Sequence, residues 1–321
     1  MNQKLTNDHK LRNLGHTLLL IGSMALLLAL ISELLFGEGV WPWVFAGVIL
    51  AMSTLPDISP HWLLRLYQAR RIYPNEAPDL TRLMEEIGRR TGVSPTPTLY
   101  WIPSSTSNAF SVGSRDDSAI ALTDGLLKLL NPRELAGVLA HETSHIINHD
   151  MRLMNLADLI SRLTHMLSMI GILLAFISLP LALLGMAPLP LSGLLLLIVA
   201  PTLSALLQLG LSRVREFQAD LSAVRITGDP EGLASALGKI EHRHASLWQR
   251  ILLPGYRDPE PSLLRTHPDT AERVRRLLEL RDEAETLARP IFPGIGKNTR
   301  LPGSFHTLRS PRHRLFFRTW H

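Results

Sequence analysis

Long stretches without charged residues divide this chain into apolar and polar parts. Residues 13–32 carry no charge and consist mainly of Leu, Ile, Met and Ala, and a second apolar run extends from Gly39 to about Leu55. Between Arg162 and Arg213 there is no Asp, Glu, Lys or Arg, and turn-forming residues at 185–190 interrupt this run. Since a helix of about 20 apolar residues spans a bilayer, the pattern predicts four transmembrane helices in two hairpins.

Two of these segments have a second interpretation. The first run resembles a signal peptide, although another apolar run follows at once and no small-residue cleavage site stands out. The run after Arg162 resembles a buried hairpin of a soluble protein, although such hairpins usually keep a polar face. We expect membrane spans in both places.

The segment from about residue 72 to 150 has a mixed pattern. Apolar residues at helical spacing predict a helix over 77–91. Short β-prone runs predict strands over 98–102, 108–112 and 119–122, followed by a helix at 123–130. The predicted fold class is mainly α with α+β character, in which four transmembrane helices accompany a small antiparallel β-sheet.

Composition agrees with a membrane protein and restricts the chemistry. Of the 321 residues, 46% are hydrophobic and 19% are charged, and cysteine is absent, so any metal must be held by His, Asp or Glu. Six Lys and Arg residues after Pro290 account for the net charge of +5, since the remainder carries −1. The charge therefore does not indicate a nucleic-acid partner. The basic tail at 290–321 is either a disordered extension or a contact with anionic lipid.

Basic residues predict the orientation of the spans. The two short loops that connect the runs within each hairpin contain no Lys or Arg. The basic residues lie at the opposite ends of the four runs: Lys4, Lys10, Arg12, Arg65, Arg70, Arg71, Arg152, Arg162, Arg213 and Arg215. By the positive-inside rule the basic side is cytoplasmic. The residues between the second and third runs are therefore expected on the cytoplasmic face of the inner membrane.

A metal-binding pattern lies on that side. Residues 141–145 read H-E-T-S-H, on a helix that Asn131, Pro132 and Glu134 predict to begin with a capping box. Histidines four apart share a helix face, so His141 and His145 can bind one Zn²⁺ while Glu142 acts as a general base in peptide-bond hydrolysis.

Catalytic zinc needs a third protein ligand. The second apolar hairpin returns the chain to the side of the motif, and Glu216 follows it directly. We expect Glu216 to be the third ligand of one zinc ion per chain. Asp220, four residues on, is expected to accept a hydrogen bond from a zinc-binding histidine.

These features together resemble a known family. The H-E-x-x-H motif, the charge-free hairpin and residues 212–220 (S-R-V-R-E-F-Q-A-D) resemble the HtpX-type membrane zinc metalloproteases, relatives of the CAAX prenyl proteases, over about residues 13–280. The resemblance implies that Asn108, Ala109 and Phe110 form an edge strand to which substrate adds. It also implies that His267 lies near the metal, where it either stabilises the oxyanion or ligates zinc in a resting form. Thr143 and Ser144 depart from the family's usual residues.

The sequence thus predicts a membrane-embedded zinc endopeptidase with a zincin-like catalytic domain facing the cytoplasm. The resemblance implies membrane or misfolded proteins as substrates and a role in membrane-protein quality control. One alternative is an inactive metal-binding scaffold or chaperone, which the intact Glu142 disfavours. Another is intramembrane cleavage, which the charges around the motif disfavour. The predicted segments are an N-terminus (1–12), a first hairpin (13–56), two catalytic parts (57–162 and 212–289) separated by a second hairpin (163–211), and the tail (290–321).

Overall fold

The computed structural model describes residues 2–54, 60–185, 191–251, 270–281 and 291. In chain order the elements are α1 (Asn2–Phe36), α2 (Trp41–Thr54), α3 (Pro60–Leu66), β1 (Arg70–Arg71), α4 (Pro78–Thr91), β2 (Thr98–Ile102), β3 (Ala109–Gly113), β4 (Ser118–Thr123), α5 (Asp124–Leu129), α6 (Pro132–Ile147), α7 (Asp150–Leu183), α8 (Leu191–Thr227), α9 (Pro230–Ile251) and α10 (Thr270–Glu279). The chain divides into two compact units.

The first unit contains long apolar helices. It comprises α1, α2, α7, α8 as far as Leu221 and α10 as far as Arg273. Within the described part of the chain, three segments are long and apolar enough to cross a membrane: Leu14–Phe36, Asp150–Leu181 and Leu191–Thr227. These segments share a buried apolar cluster that includes Ile21, Met24, Leu28, Leu156, Ala157, Ile160 and Leu211. Apolar side chains also face outward, as a lipid environment requires.

The second predicted span is the shorter helix α2. It has 14 residues, none of them buried. Its length of about 21 Å is less than the roughly 30 Å of a bilayer's hydrocarbon core. By length and composition the described residues therefore contain three spans and one shorter apolar helix, and the fourth crossing stays a prediction.

The second unit is built around the β-sheet. Amphipathic α4 follows the predicted pattern, because Leu80, Leu83, Met84 and Ile87 are buried. These residues share one core with side chains from β4, α5, α6, the end of α8 and α9: Ile120, Leu122, Leu126, Leu139, Val224 and Leu233. The helix that carries the H-E-x-x-H motif is thus packed in the core of this unit.

The predicted antiparallel sheet is wrong in one pairing, because the sheet is mixed. Its order is β1-β2-β4-β3. Strand β3 pairs antiparallel with β4, as predicted, but β4 runs parallel to β2. The physical reason is burial: every residue of β4 is buried, so β4 takes the central position, whereas β3 is partly exposed and lies at the edge.

The loop at 103–108 carries the chain past β4 to the edge position. The Thr123 hydroxyl at the end of β4 donates to the carbonyl of Thr106 (2.7 Å) and accepts from the backbone N–H of Asn108 (2.9 Å). A Cβ on Gly125 would lie 2.2 Å from the Ser105 carbonyl oxygen. Only glycine allows the loop to pass this close, so Thr123 and Gly125 hold β3 at the edge of the sheet.

Candidate metal centre

The motif helix α6 begins with the predicted capping box. The Glu134 carboxylate accepts from the backbone N–H of Asn131 (2.9 Å), and the Asn131 side-chain oxygen accepts from the backbone N–H of Glu134 (2.9 Å). These reciprocal bonds satisfy two donors that a helix start leaves open. The capping-box prediction is confirmed, and it fixes where α6 starts relative to His141.

Ionic contacts hold the start of α6 against α9. Glu134 also accepts from the Ser235 hydroxyl (2.6 Å) and the Lys239 ammonium (2.8 Å). Arg133 donates from Nε and Nη2 to the two oxygens of the Asp229 carboxylate, and these hydrogen bonds raise the pKa of Arg133. A Cβ on Gly137 would lie 3.0 Å from the Leu233 Cα, so the two helices pack closely. The helix is therefore a rigid platform for the histidines.

The two histidines face one another. The Nε2 atoms of His141 and His145 are 3.1 Å apart, and the ring planes are inclined by 89°. His141 is buried, whereas His145 and Glu142 are half-buried. Between them, Thr143 and Ser144 are fully buried and donate their hydroxyls back to the carbonyls of Leu139 and Ala140. The unusual residue pair is thus accommodated within the helix.

Glu216 completes a candidate metal-binding group. One ligand atom from each of His141, His145 and Glu216 lies within 4.8 Å of the others. Glu216 is carried by the long helix α8 and is buried.

The donor set suits a divalent metal. Tetrahedral zinc with bonds of about 2.0–2.1 Å separates its ligand atoms by about 3.3 Å, close to the 3.1 Å between the imidazole nitrogens. Two imidazoles and one carboxylate also form a known catalytic ligand set, which leaves a coordination position open.

A buried arginine supports the two carboxylates of α8. Arg273 donates from Nε and Nη2 to the two oxygens of Asp220 (2.7 and 2.6 Å), and its Nη1 lies 2.9 Å from Oε2 of Glu216. All three side chains are less than 10% exposed. A carboxylate has about four acceptor positions, and the hydrogen bond from a zinc-binding histidine to Asp220 stays a prediction.

Arg133, Glu134 and Asp150, which are charged residues around the motif, form ion pairs with other residues of the protein. Asp150, at the start of α7, accepts from Nε of Arg215 (2.5 Å), and both residues are buried. Arg133 and Glu134 are paired as described above. These charges therefore reflect internal ion pairs, and the position of the site relative to a bilayer stays a prediction.

Of the remaining predicted site residues, the substrate-strand residues are described by the structure and His267 is not. Asn108 immediately precedes β3, and Ala109 and Phe110 lie within it, at the edge that the substrate prediction requires. The Phe110 ring packs against Tyr67 with centroids 5.4 Å apart. His267 and most of the basic tail lie outside the described residues. Arg273 was not predicted as a site residue, because no local signal in the sequence links it to Glu216 or Asp220.

Residues 74–281, which include the motif, Glu216 and Arg273, match peptidase family M48. The chain belongs to peptidase family M48.

Related M48 proteins specify the subgroup. A protease HtpX homolog from Acaryochloris marina is 36% identical over 284 residues, which cover 81% of this chain and 94% of that relative. One from Paraburkholderia phytofirmans is 34% identical over 240 residues, covering 69% and 81%. The crystal structure of S. mikatae Ste24p is similar with a TM-score of 0.43 and 22% identity, covering 85% of this chain and 66% of that one.

These findings confirm the resemblance and the class of activity. This HtpX-type M48 protein is a membrane-associated metalloprotease that acts on protein substrates. The inactive scaffold is not favoured. The apolar helices of this chain and its relatives are those of a multi-pass membrane protein.

Proposed function

We propose that this M48 protease is a zinc endopeptidase that cleaves membrane or misfolded proteins at the cytoplasmic face of the inner membrane. The supporting observation is the group formed by His141, His145 and Glu216, with Glu142 between the histidines on α6. In this proposal the three residues hold one zinc ion per chain. Asp220 and Arg273 hold Glu216 in position.

The chemistry assigns a separate task to Glu142. A bound zinc ion would supply a Lewis acid that activates water and polarises the scissile carbonyl. Glu142 takes a proton from the attacking water as its oxygen bonds to the carbonyl carbon. Glu142 then gives that proton to the leaving amine nitrogen as the C–N bond breaks. His267 either stabilises the oxyanion or ligates zinc in a resting form.

The metal site is tested by measuring zinc per chain. We expect about one zinc in the purified wild type, and loss of tight binding in His141→Ala, His145→Ala and Glu216→Ala because each removes a ligand. Equilibrium dialysis followed by metal analysis gives the stoichiometry. His242→Ala, an exposed histidine on α9, is the matched control and should keep its zinc. Stoichiometric zinc in all three ligand variants would place the metal elsewhere.

The substrate site proposed at β3 can be resolved to single backbone groups. The Thr123 N–H donates to the Asn108 carbonyl (3.0 Å), so Asn108 faces β4. Because inward and outward groups alternate along an antiparallel pair, Ala109 and Ser111 direct their backbone groups away from β4. An extended substrate that pairs with them would lie alongside Asn108, Ala109 and Phe110.

Proline at the edge provides the corresponding test. We expect Ser111→Pro to raise the KM for protein substrate about 2–12-fold, because it removes one outward N–H worth about 0.5–1.5 kcal/mol while an edge strand tolerates proline. Steady-state kinetics measure the change. Ser111→Ala keeps the N–H and should behave as wild type. An unchanged KM in the folded proline variant would argue against strand addition here.

The proposed topology has four crossings, α2 included, and the six segments predicted from the sequence. Its support is the one-sided distribution of basic residues around the apolar runs. We expect a reporter that is active only in the cytoplasm to be active when it is fused after Leu55. Activity of a periplasm-specific reporter at the same position would reverse the orientation.

A further inference from the structure

The short helix α3 presents two large apolar side chains and a cation on one exposed face. Trp62, Arg65 and Leu66 are three and four residues apart, so they share that face. Trp62 is 66% exposed and Leu66 is 64% exposed, whereas Leu64 is 3% exposed. Two such side chains on a single turn form an exposed apolar patch that burial would stabilise. We call these three residues the α3 face.

The orientation of the α3 face is set by the rest of the second unit. Leu64 is buried, and the neighbouring Tyr67 ring packs against Phe110 of β3. The chain then turns sharply at Gln68, where φ is 52°, and the Ala69 N–H donates to the Leu64 carbonyl (2.9 Å). The outward direction of Trp62 and Leu66 is therefore built into the fold.

The surroundings of the α3 face are cationic and aromatic. Arg65 and Arg71 are exposed, whereas Arg70 forms an ion pair with Glu76 (3.0 Å). Arg71 is exposed on β1, and its guanidinium carbon lies 5.6 Å from the ring centre of Tyr73, which is itself 52% exposed. Trp, Tyr and Leu beside Arg form the combination that favours the headgroup region of a membrane containing anionic lipid.

The position of α3 along the chain favours lipid over a protein partner. Only residues 55–59 separate it from α2, an apolar helix without buried residues. A chain that leaves such a helix in a membrane protein enters the headgroup region within a few residues. We propose that the α3 face docks on the headgroup region of an anionic bilayer. Because α3 packs on the sheet through Tyr67 and Phe110, docking would hold the edge strand β3 near the lipid surface.

The chain's lack of cysteine makes a spin-label experiment direct. Full-length Trp62→Cys and Leu66→Cys variants, each labelled with a nitroxide, are placed in nanodiscs of phosphatidylcholine and phosphatidylglycerol at a ratio of roughly 3:1, an anionic bilayer. Collision rates with O₂, which concentrates in lipid, and with a water-soluble nickel chelate report immersion. The Leu66→Cys variant retains Trp62, so the native aromatic residue is present in one of the two.

The matched control is Arg82→Cys on α4, a side chain that is 74% exposed. We expect O₂ to dominate at positions 62 and 66 and the nickel chelate to dominate at position 82. Arg65→Gln combined with Arg71→Gln, or a bilayer of phosphatidylcholine alone, should shift the labels at 62 and 66 towards the nickel-accessible value.

Three results would overturn the proposal. Nickel access at 62 and 66 equal to that at 82 would mean that the face lies in water. Protection from both reagents would indicate a protein partner or a second copy of the chain. Equal immersion in the two bilayers would remove the role of anionic lipid. None of these results depends on proteolysis, so the proposed enzymatic function stands or falls separately.

Discussion

Replacing Glu142 by glutamine is expected to lower kcat/KM for a misfolded membrane protein by about 10²–10⁴-fold while zinc per chain stays unchanged. Glutamine has nearly the same size and leaves His141, His145 and Glu216 in place, but it does not accept the proton of the attacking water. Cleavage is measured with purified protein in detergent at saturating zinc, and the metal content is measured on the same samples.

The control for this experiment is Glu85→Gln, the same exchange on an exposed position of α4. It should retain full activity. If Glu142→Gln also cleaves at the wild-type rate with one zinc bound, Glu142 is not the general base. If it loses zinc as well, the residue supports the metal rather than the proton transfer, and a rate effect alone would no longer identify its role.

The second large effect is expected at Arg273. Arg273→Ala should lower the free energy of unfolding of the zinc-free protein by about 3–5 kcal/mol, because it removes the cation that both Glu216 and Asp220 contact in a buried site. The loss should be smaller with zinc bound, since a divalent cation then balances Glu216. Denaturant unfolding in detergent, with chelator and with zinc, measures both values.

Two further variants separate charge from geometry. Arg273→Lys keeps the charge but cannot form the two-pronged contact with Asp220, so we expect an intermediate loss. Arg275→Ala removes an exposed pair with Glu279 on the same helix and should change stability by less than about 1 kcal/mol. An Arg273→Ala variant as stable as Arg275→Ala would show that the buried cluster does not stabilise the fold.

The candidate site was predictable where its signals are local. The helix start at Asn131 and Glu134, the shared face of His141 and His145, and the buried stripe of α4 each depend on spacing within a few residues. Such spacing acts in the same way before and after the chain folds, and the structure bears out all three.

Long-range pairings could not be predicted in the same way. Periodicity indicated three strands but not that β4 would lie between β2 and β3, because strand order is decided by which strand buries both faces. The charges near the motif suggested a solvated surface, yet Asp150 is paired with Arg215 inside the protein. A charged residue has the same sequence signature whether water or a buried partner neutralises it.

The sequence by itself determined the apolar segments, the motif helix and the types of candidate metal ligand, because helix periodicity and side-chain chemistry are properties of neighbouring residues. Only the tertiary structure decided that a Glu216 oxygen lies within 4.8 Å of ligand atoms from both histidines, that Arg273 joins Glu216 to Asp220, and that β3 is an edge. These contacts connect residues far apart in the chain. They form because a buried charge is stable only when it is paired and because the most buried strand takes the central position in a sheet. The residues that make these contacts are not neighbours in the sequence, so no local pattern predicts them.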